Sequence, residues 1–526
     1  MKREIILRLL PEETTNRDII LRKISEKTQD DGFEPKFYWV IKKSTDARKN
    51  PVKIVLKLLV SDSYEDLKSN IKPKEIPKLS SNAKQIVIVG AGPAGLFAAL
   101  KAIELGLKPL IVERGKDVDS RRRDLALISR KNIIDPNSNF CFGEGGAGTF
   151  SDGKLYTRSK KRGNNKEVLE LLYQFGANEE ILIESHPHIG TDKLPGIIKN
   201  IRKKIIECGG EIKFNCKMTS VDIQGGIAKG IITDKGEKIE GPVFLAIGHS
   251  ARDTYRQLKD DGVRIEAKGL AIGVRLEHSQ HLIDCIQYHS KDGRGKWLPP
   301  AEYSFVEQVD SRGVYSFCMC PGGVIVPAVS DNNQIVVNGM SSSARGSKWA
   351  NSGFVVELHP GDIPGYEHEG EFEMMALQES LEKRFFDESN CSLNAPAQGI
   401  KDFIDDKISN KLPSSSYTPG IHPANFNQLF PKEICSRLKQ GLINIGKKKR
   451  AFITNDGILL GLESRTSSPI RIPRDSFTLN HEDIKNLYPM GEGAGYAGGI
   501  ISSAIDGMRC VEAFYNNEIK VNGYNS

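Results

Sequence analysis

The 526-residue sequence predicts an α/β fold: a parallel β-sheet domain, an inserted α+β domain and a small N-terminal α+β module. Three observations support this prediction. Residues 85–89, QIVIV, form a continuous apolar run typical of a strand buried on both faces of a parallel sheet. Residues 486–490 predict a further strand near the other end of the chain. The stretch between these two strands is long enough to contain a separate domain.

The first 82 residues predict a small β-α-β-β module. Hydrophobic patterning indicates strands at 2–10, 36–42 and 52–60 and a helix at 17–28. From 70 to 84 the sequence turns to Lys, Pro, Ser and Asn without periodicity, which is typical of a connection between domains. Five of the seven excess positive charges lie in the first 80 residues, but they alternate with acids and turn formers. We therefore expect a solvated basic face rather than a nucleic-acid or membrane contact.

Composition excludes several classes of protein. With 39% hydrophobic and 27% charged residues, the chain is neither disordered nor collagen-like. Its nine cysteines show neither metal-ligand spacing nor a pairing pattern, so we expect no metal site and a reducing, cytoplasmic environment. We expect no secretory signal, because Arg8 interrupts the N-terminal apolar run, and no transmembrane helix. These patterns give no indication of oligomeric state.

A glycine-rich turn follows the strand at 85–89 at once. Residues 90–95, GAGPAG, match the GxGxxG pattern, and the Ala- and Leu-rich stretch 96–105 predicts a helix after it. A second strand at 109–112 ends at Glu113. Strand, turn, helix, strand and acid in this order indicate a dinucleotide-binding unit of the Rossmann-like type. A glycine turn that serves packing alone is the alternative.

The turn residues have distinct expected roles. Gly90 permits the tight turn, Gly92 lets the backbone approach a pyrophosphate, and Gly95 lets the helix pack closely on the strand. Pro93 and Ala94 stand at the helix N-terminus, whose N–H groups attract an anion.

The end of the second strand bears on which dinucleotide binds. Glu113 is placed to accept hydrogen bonds from the ribose hydroxyls of adenosine. Glu113-Arg114 resembles the Glu-Arg pair typical of FAD binders among Rossmann-type flavoproteins related to glutathione reductase. In that superfamily a later apolar strand ends in a small-residue turn, and residues 241–248, ending in Gly248, are similar to it. The resemblance implies FAD, and it leaves NAD(P)H open as an electron donor.

The third element of the superfamily is a strand entering Gly-Asp, whose acid holds the ribityl chain, followed by a helix directed at the flavin. Residues 486–490 lead into Gly491-Glu492, so Glu stands where Asp is usual. A helical run begins near Gly498, and the partial positive charge at its start would stabilise a reduced flavin. The resemblance implies cofactor contacts from Gly491, Glu492, Ala497, Gly498, Gly499 and Ile500.

The most unusual string is 139–155, NFCFGEGGAGTFSDGKL, whose composition favours turns of positive φ and exposed N–H donors. Together with 185–194, 317–323 and 463–469, it resembles a family of bacterial FAD-dependent dehydrogenases whose substrate is generally unassigned. The resemblance covers essentially the whole chain. It implies extended FAD and a substrate cap inserted in the FAD domain, but no particular reaction. The expected cofactor contacts in this string are Gly145, Gly146, Ala147, Thr149, Ser151 and Asp152.

The two groups of cofactor motifs set the predicted domain limits. The segments are the N-terminal module at 1–82, the first part of the FAD-binding domain at 83–256, the inserted substrate domain at 257–483 and the last part of the FAD-binding domain at 484–526. Within the FAD-binding domain, residues 211–239 predict a β-meander. No second dinucleotide unit is completed after Gly491, so a nicotinamide would have to bind without its own Rossmann domain.

Two pairs of side chains are candidates for chemistry. His186 and His188 flank a proline, and in an extended segment both would project to one face and reach one ligand. Alternatively, they are hydrogen-bonding turn residues. Cys318 and Cys320 could form a redox pair, or they could be ordinary buried strand or turn cysteines.

Arg465 and Thr466 are candidates for binding the substrate. An arginine fork can bind a carboxylate through two parallel hydrogen bonds. A solvated or ion-paired Arg465 is the alternative.

The sequence as a whole predicts an FAD-dependent oxidoreductase, a dehydrogenase that transfers a hydride between a small organic substrate and flavin N5. One alternative is a flavin reductase or monooxygenase supplied by NAD(P)H. The other is a flavin-bound RNA or protein adaptor, in which FAD is structural and the N-terminal module makes the contacts.

Overall fold

The computed structural model describes residues 2–28, 33, 35–67, 73–156 and 163–520. Residues 70–72 of the predicted connection and 521–526 of the predicted last segment lie outside this range.

A three-stranded antiparallel sheet and one long helix form the N-terminal module. Its elements are β1 (Lys2–Leu9), α1 (Arg17–Thr28), β2 (Phe37–Asp46) and β3 (Lys53–Ser61), with sheet order β1-β3-β2. Alternate residues of β1 and β3 are buried in one cluster with Ile20 and Ile24 of α1. The module contacts the rest of the chain through Lys43, whose carbonyl oxygen accepts from Ser185 N at 3.0 Å.

The next elements build the parallel-sheet region. They are β4 (Gln85–Val89), α2 (Pro93–Glu104), β5 (Lys108–Val112), α3 (Val118–Lys131), α4 (Asn165–Gln174), α5 (Glu180–Ile183), α6 (Leu194–Glu207), β6 (Glu211–Lys213), β7 (Met218–Gln224), β8 (Ile227–Thr233), β9 (Lys238–Glu240) and β10 (Val243–Leu245).

A second set of elements lies between β10 and the C-terminal strand. They are α7 (Arg252–Asp260), β11 (Glu266–Ala267), β12 (Leu270–Ser279), α8 (Gln280–Tyr288), β13 (Val306–Val309), β14 (Arg312–Cys320), β15 (Val324–Pro327), β16 (Val337–Met340), β17 (Trp349–Leu358), α9 (Glu373–Glu388), β18 (Ala395–Gly399), α10 (Ile400–Ile404), β19 (Ile421–Pro423), α11 (Phe426–Leu429), α12 (Lys432–Lys448), β20 (Ile458–Glu463) and β21 (Ile470–Arg471). The chain then returns to the first region with β22 (Leu487–Pro489) and α13 (Ile500–Phe514).

The central sheet is parallel, in the order β6-β5-β4-β10-β22. The chain builds outward from β4 through β5 to β6 and then crosses back to β10 on the other side of β4. The strand order therefore reverses between β4 and β10, and ligands of such sheets bind outside the carboxyl ends of the strands at this point. The turns after β4, β5, β10 and β22 all meet at that edge. The predicted Rossmann-like fold is confirmed.

The predicted meander at 211–239 is wrong at its start. Residues 211–213 form β6, which pairs in parallel with β5, and the antiparallel meander contains only β7, β8 and β9. A three-residue strand is too short for its alternation to distinguish a parallel edge strand from a meander strand.

A seven-stranded sheet dominates the second region, in the order β13-β14-β17-β12-β20-β18-β19. Its buried side chains form the largest apolar cluster together with α9 and α12. The short antiparallel pair of β11 and β21 lies where the chain enters and leaves this sheet. Strand β14 is next to the edge strand β13 and runs along the space described below.

Candidate cofactor and active site

A cavity of about 800 Å³ lies at the carboxyl edge of the parallel sheet. Its walls include the turns after β4, β5, β10 and β22 and also β14 of the seven-stranded sheet. This volume falls within the range of roughly 300–1,000 Å³ found for ligand sites. The residues singled out from the sequence that line it are Gly90, Gly92, Pro93, Ala94, Glu113, Arg114, Gly146, Ala147, Ser151, Asp152, His186, Gly248, Arg465, Thr466, Glu492, Gly498, Gly499 and Ile500.

The other predicted site residues do not reach the cavity wall. They are Gly95, Gly145, Thr149, His188, Gly491 and Ala497. Gly145 and Thr149 serve the fold of the glycine-rich loop, because a Cβ at 145 would collide with Thr149 Oγ1, which donates to Glu144 O at 2.9 Å. Contact of these six residues with a cofactor stays a prediction.

The glycines after β4 differ in what surrounds them. Gly90 has φ +109°, and a Cβ there would lie 2.4 Å from Ala246 O after β10. A Cβ at Gly95 would lie 1.9 Å from Gly90 O, so this glycine allows α2 to pack on β4. At Gly92, in contrast, the nearest atom to a Cβ would be Gly146 Cα at 3.9 Å. Gly92 is therefore required by neither backbone conformation nor protein packing, and it lines the cavity.

The carboxylate of Glu113 ties three turns together. It accepts hydrogen bonds from the N–H groups of Ala91 at 2.8 Å, Gly115 at 2.9 Å and Gly143 at 3.0 Å. The side chain is 5% exposed, and it still forms part of the cavity wall. Its position suits the predicted ribose contact, and its own hydrogen bonds shape the surrounding backbone.

Arg114 is held by an ion pair instead of projecting freely. Its guanidinium makes two 2.9 Å hydrogen bonds to Asp253 and lies 4.2 Å from the ring centroid of Phe142. Burial alone would raise the pKa of Asp253, but Arg114 and Lys217 lower it well below its usual range.

The glycine-rich loop folds around one buried arginine. Arg121 of α3 is fully buried, and its guanidinium donates to five backbone carbonyl oxygens, those of Asn139, Phe140, Gly143, Glu144 and Gly146. Burial lowers the pKa of Arg121 to about 10, so it remains a cation at neutral pH. No carboxylate of the described residues accepts a hydrogen bond from it. Its positive charge therefore lies behind the loop without a directly bonded counter-ion.

The turn after β22 opens onto the same cavity. A Cβ at Gly498 or Gly499 would meet no atom within 4 Å, and α13 begins directly after them at Ile500. Burial raises the pKa of Glu492 to about 7, with Lys268 opposing the rise. The Glu492 carboxylate has no hydrogen-bond partner within the described part of the chain, and it lines the cavity.

A chain of ion pairs forms another part of the wall. Lys154 Nζ lies 2.9 Å from Asp152, and Asp152 also pairs with Arg345 at 3.0 Å. Arg345 in turn pairs with Glu302 at 2.6 Å, and Glu302 lies 3.3 Å from His186 Nδ1. Burial alone would raise the pKa of Glu302, but His186 and Arg345 lower it to about 2. The hydrogen bond to Glu302 raises the pKa of His186.

The structure does not bring the two predicted histidines together. His186 lines the cavity, with its ring 4.9 Å from that of Tyr156. His188 instead places Nε2 3.2 Å from Ser343 O, away from the cavity. Burial and the nearby Arg345 lower the pKa of His188. The chain bends at residues 185 and 186, so the segment is not the extended one on which the expectation of a shared ligand depends, and the two rings diverge.

Arg465 is committed to a buried ion pair. It lies 3.1 Å from Glu382, which Arg252 also contacts at 2.8 Å. Burial alone would raise the pKa of Glu382, but the two arginines lower it to about 2. Thr466 Oγ1 donates to Ala271 O at 2.8 Å. The ion-paired alternative describes this geometry, and substrate binding by either residue stays a prediction.

Cys318 and Cys320 both line the cavity. Cys318 has φ +43°, a conformation that costs a non-glycine residue roughly 1–3 kcal/mol. Its side chain is exposed, whereas Cys320 is buried. Neither cysteine is part of a disulfide in the structure.

Sequence reasoning missed several cavity residues, among them Glu302, Arg345 and His249. Glu302 and Arg345 belong to loops of the second region, 148 and 191 positions after Lys154 in the sequence, and no local pattern marks them. His249 could have been found, because it follows the predicted Gly248 directly. Burial and the charge of Arg465 lower the pKa of His249 to about 4, so this ring is neutral.

The chain resembles known sequences along most of its length. An uncharacterized protein from Clostridium beijerinckii is 41% identical over 491 residues, which cover 90% of this chain and 91% of that protein. The chain belongs to the same family as this clostridial protein. Residues 85–122 match an FAD-binding domain, residues 269–466 match the C-terminal domain of FAD-dependent proteins, and residues 1–61 match a domain of unknown function.

This family is therefore one of FAD-dependent proteins, and the matches support an FAD-dependent oxidoreductase. The relation to the glutathione reductase superfamily stays a prediction. None of the described helices has the length and apolar character needed to cross a membrane.

Solved structures resemble the chain only distantly. The flavin-dependent brominase Bmp2 is 12% identical with a TM-score of 0.36, over 84% of this chain and 82% of that one. A geranylgeranyl bacteriochlorophyll reductase-like protein from Thermoplasma acidophilum is 13% identical with a TM-score of 0.34, over 84% and 81%. CtdE in complex with FAD is 13% identical with a TM-score of 0.31, over 84% and 91%. Such scores indicate nothing about the reaction.

The cavity wall fits FAD, the cofactor of this family. Four glycines of the wall leave room for a ligand next to their backbone, because a Cβ at any of them would meet no protein atom closer than 3.9 Å. They are Gly92, Gly248, Gly498 and Gly499. The N-termini of α2 and α13 both open on the cavity, where their N–H groups favour anionic or electron-rich parts of a ligand. Glu492 offers an acceptor that no described protein group uses. These are the features that an extended dinucleotide requires.

Proposed function

We propose that the protein is an FAD-dependent dehydrogenase that transfers a hydride between a small organic substrate and flavin N5. The observation that supports this proposal is the shared cavity. One part of its wall is glycine backbone suited to a dinucleotide, and another part is the ion-paired cluster of Lys154, Asp152, Arg345, Glu302 and His186. FAD supplies the acceptor or donor of the hydride.

The side chains of the cavity provide the remaining functions. Gly92 and the N-terminus of α2 bind the pyrophosphate, while Glu492 accepts a hydrogen bond from the ribityl chain. His186 moves the substrate proton, because it lines the cavity and Glu302 holds its Nδ1 side at 3.3 Å. Lys154 and Arg345 orient polar groups of the substrate. Lys154 and Arg345 each form an ion pair with Asp152, and these pairs hold the two cationic groups in place beside the substrate.

A flavin reductase or monooxygenase supplied by NAD(P)H is the second candidate. The parallel sheet, as far as the structure describes it, contains one strand-turn-helix-strand dinucleotide unit. A nicotinamide would therefore have to enter the cavity beside FAD.

An RNA-binding adaptor is disfavoured by the charges of the N-terminal module. Lys43 pairs with Glu184, Lys23 with Glu13, Lys57 with Glu4, and Arg48 with Asp46. A cation that is already paired contributes less to phosphate binding. The phosphate must either displace the paired carboxylate or bind next to its negative charge.

The test is the visible absorbance of the purified protein under anaerobic conditions, before and after addition of NADH or NADPH. A flavin spectrum that stays oxidised with either nicotinamide supports a dehydrogenase, and candidate organic substrates are then screened for bleaching. Rapid bleaching by a nicotinamide favours the second candidate. A colourless protein that also binds no FAD on titration contradicts both.

A further inference from the structure

The two cysteines of β14 occupy a special place in the cavity wall. Phe317 is opposite Gly353 and Cys320 is opposite Asn351, so β14 carries one extra residue relative to β17. Such a bulge redirects side chains and is common beside active sites. Here it turns Cys318 into the cavity, while Cys320 remains buried two residues beyond it.

Two cations face the buried sulfur. Lys154 Nζ lies 3.6 Å and Arg275 Nη2 3.5 Å from Cys320 Sγ. Arg275 is fully buried and also donates to Cys318 O at 2.8 Å, so the same guanidinium holds the bulge. Asp152 and Glu463 balance these cations at 2.9 Å and 3.1 Å. Burial raises the pKa of the Cys320 thiol, but these two cations oppose the rise and would stabilise a thiolate that forms during reaction.

Cys318 and Cys320 are also separated by a single residue, Met319. Cys320 Sγ lies 3.4 Å from the carbonyl oxygen of Cys318. A disulfide needs Cα atoms roughly 4.4–6.8 Å apart, which a spacing of two residues allows.

We propose that Cys318 and Cys320 form a redox-active dithiol–disulfide pair that exchanges electrons with the bound cofactor and with a small-molecule disulfide. This inference rests on the proposed function, because the substrate hydride is the source of the electrons. Cys318, whose side chain is exposed, attacks the external disulfide; burial raises the pKa of its thiol to about 12, and the charges of Lys154 and Arg275 oppose that rise. The buried Cys320, next to Lys154, is the residue that resolves the mixed disulfide.

The steps balance. The Cys318–Cys320 disulfide takes up two electrons from the reduced cofactor and two protons, and its S–S bond is replaced by two thiols. Cys318 then loses a proton and attacks one sulfur of the external disulfide, which releases the first thiol and leaves a mixed disulfide. Cys320 attacks Cys318 Sγ, which releases the second thiol and restores the internal bond. In sum, the substrate is oxidised and the external disulfide is reduced to two thiols.

The first experiment counts electrons. Anaerobic titration of the holoprotein with dithionite should consume about four electrons per flavin, two for FAD and two for the disulfide. Cys318→Ser and Cys320→Ser should each consume about two. Cys391→Ser, which changes an exposed cysteine away from the cavity, should still consume about four. A wild-type value near two would overturn the inference while leaving the proposed function intact.

The second experiment counts thiols without using the flavin. Wild-type protein denatured in dithiobis(nitrobenzoate) before reduction should show two fewer free thiols than the nine of the sequence, and all nine after reduction. Reduced wild type mixed with hydroxyethyl disulfide should lose those two thiols rapidly, whereas Cys318→Ser should not. Nine thiols in air-equilibrated wild type, or equal reactivity of the variant, would refute the pair. If the protein proves unable to bind flavin, the thiol count still decides whether the disulfide forms.

Discussion

The dinucleotide wall and the ion-paired wall of the cavity are built by different means. The first uses backbone, with glycines at 90, 92, 498 and 499 and two helix N-termini. The second uses side chains from distant parts of the sequence, linked from Lys154 through Asp152, Arg345 and Glu302 to His186. Backbone can bind a cofactor common to many enzymes, whereas side chains set what reacts with it. Substitutions in the two walls should therefore have separable effects on FAD binding and on chemistry.

The largest effect should come from Gly92→Val. Gly92 has φ −75° and ψ −175°, which valine adopts readily, and its Cβ position is open. We expect FAD affinity to fall by at least roughly 100-fold, about 2.7 kcal/mol, because the side chain occupies the pyrophosphate path. The free energy of unfolding of the apoprotein should fall by no more than about 1 kcal/mol, because Gly92 is also the N-cap of α2 and valine is a poorer cap than glycine. Flavin titration and chemical denaturation measure the two quantities.

Gly95→Val is the matched comparison. Its Cβ would lie 1.9 Å from Gly90 O, so α2 could not remain on β4. The apoprotein should lose at least about 3 kcal/mol of stability or fail to fold. A Gly92→Val protein that still purifies with FAD would contradict the role of the dinucleotide wall.

A smaller effect on the same wall is expected from Arg121→Lys. Lysine keeps the positive charge but cannot donate to five carbonyl oxygens at once, so the glycine-rich loop loses part of its support. FAD affinity should fall roughly 10-fold to 100-fold. This corresponds to a loss of about 1.4–2.7 kcal/mol of binding free energy, because part of the loop's hydrogen bonding is lost. The exposed Arg123 of the same helix provides the control, because Arg123→Lys should leave flavin titration unchanged. Equal affinities for the two variants would show that Arg121 does not organise the site.

The smallest effect concerns protonation in the ion-paired wall. The hydrogen bond and charge of Glu302 raise the pKa of His186, so Glu302→Gln should lower that pKa toward its ordinary value. The stabilising contribution of the pair is fully present below the ordinary histidine pKa of about 6.5 and is lost as pH rises through the folded value. In the Glu302→Gln variant, the free energy of unfolding should therefore no longer contain the pH-dependent contribution of the His186–Glu302 pair. NMR titration of His186 measures the shift, with His481 as a distant reference ring that should not move.

Much of the dinucleotide wall could be predicted from sequence because its determinants are local. The strand at 85–89, the GAGPAG turn and the acid at 113 all lie within 29 consecutive residues, and each acts through turn geometry or helix polarity. The alternation in β1 and β3 likewise predicted a sheet with one buried face. The short strand β6 was misassigned because three residues carry no periodicity.

The ion-paired wall could not be predicted in the same way. Arg345 pairs with Asp152, and Glu302 pairs with Arg345, only because loops of the second region lie over the edge of the parallel sheet. His186 and His188 were expected to reach one ligand, but the chain bends at residues 185 and 186, and His188 lies against Ser343. Nothing in a single sequence records such long-range contacts. Polar residues there are indistinguishable from ordinary surface residues until the fold is known.

The division of the parallel sheet between the two ends of the chain has a consequence for biosynthesis. Strand β22 and helix α13 begin only at Leu487 and Ile500, after the whole seven-stranded sheet has been translated. Until they emerge from the ribosome, β10 is an open edge and the cavity lacks its last wall. The nascent chain must therefore hold an incomplete nucleotide site while a large domain folds within it. The walls of the cofactor site are therefore all present only after α13 has been translated.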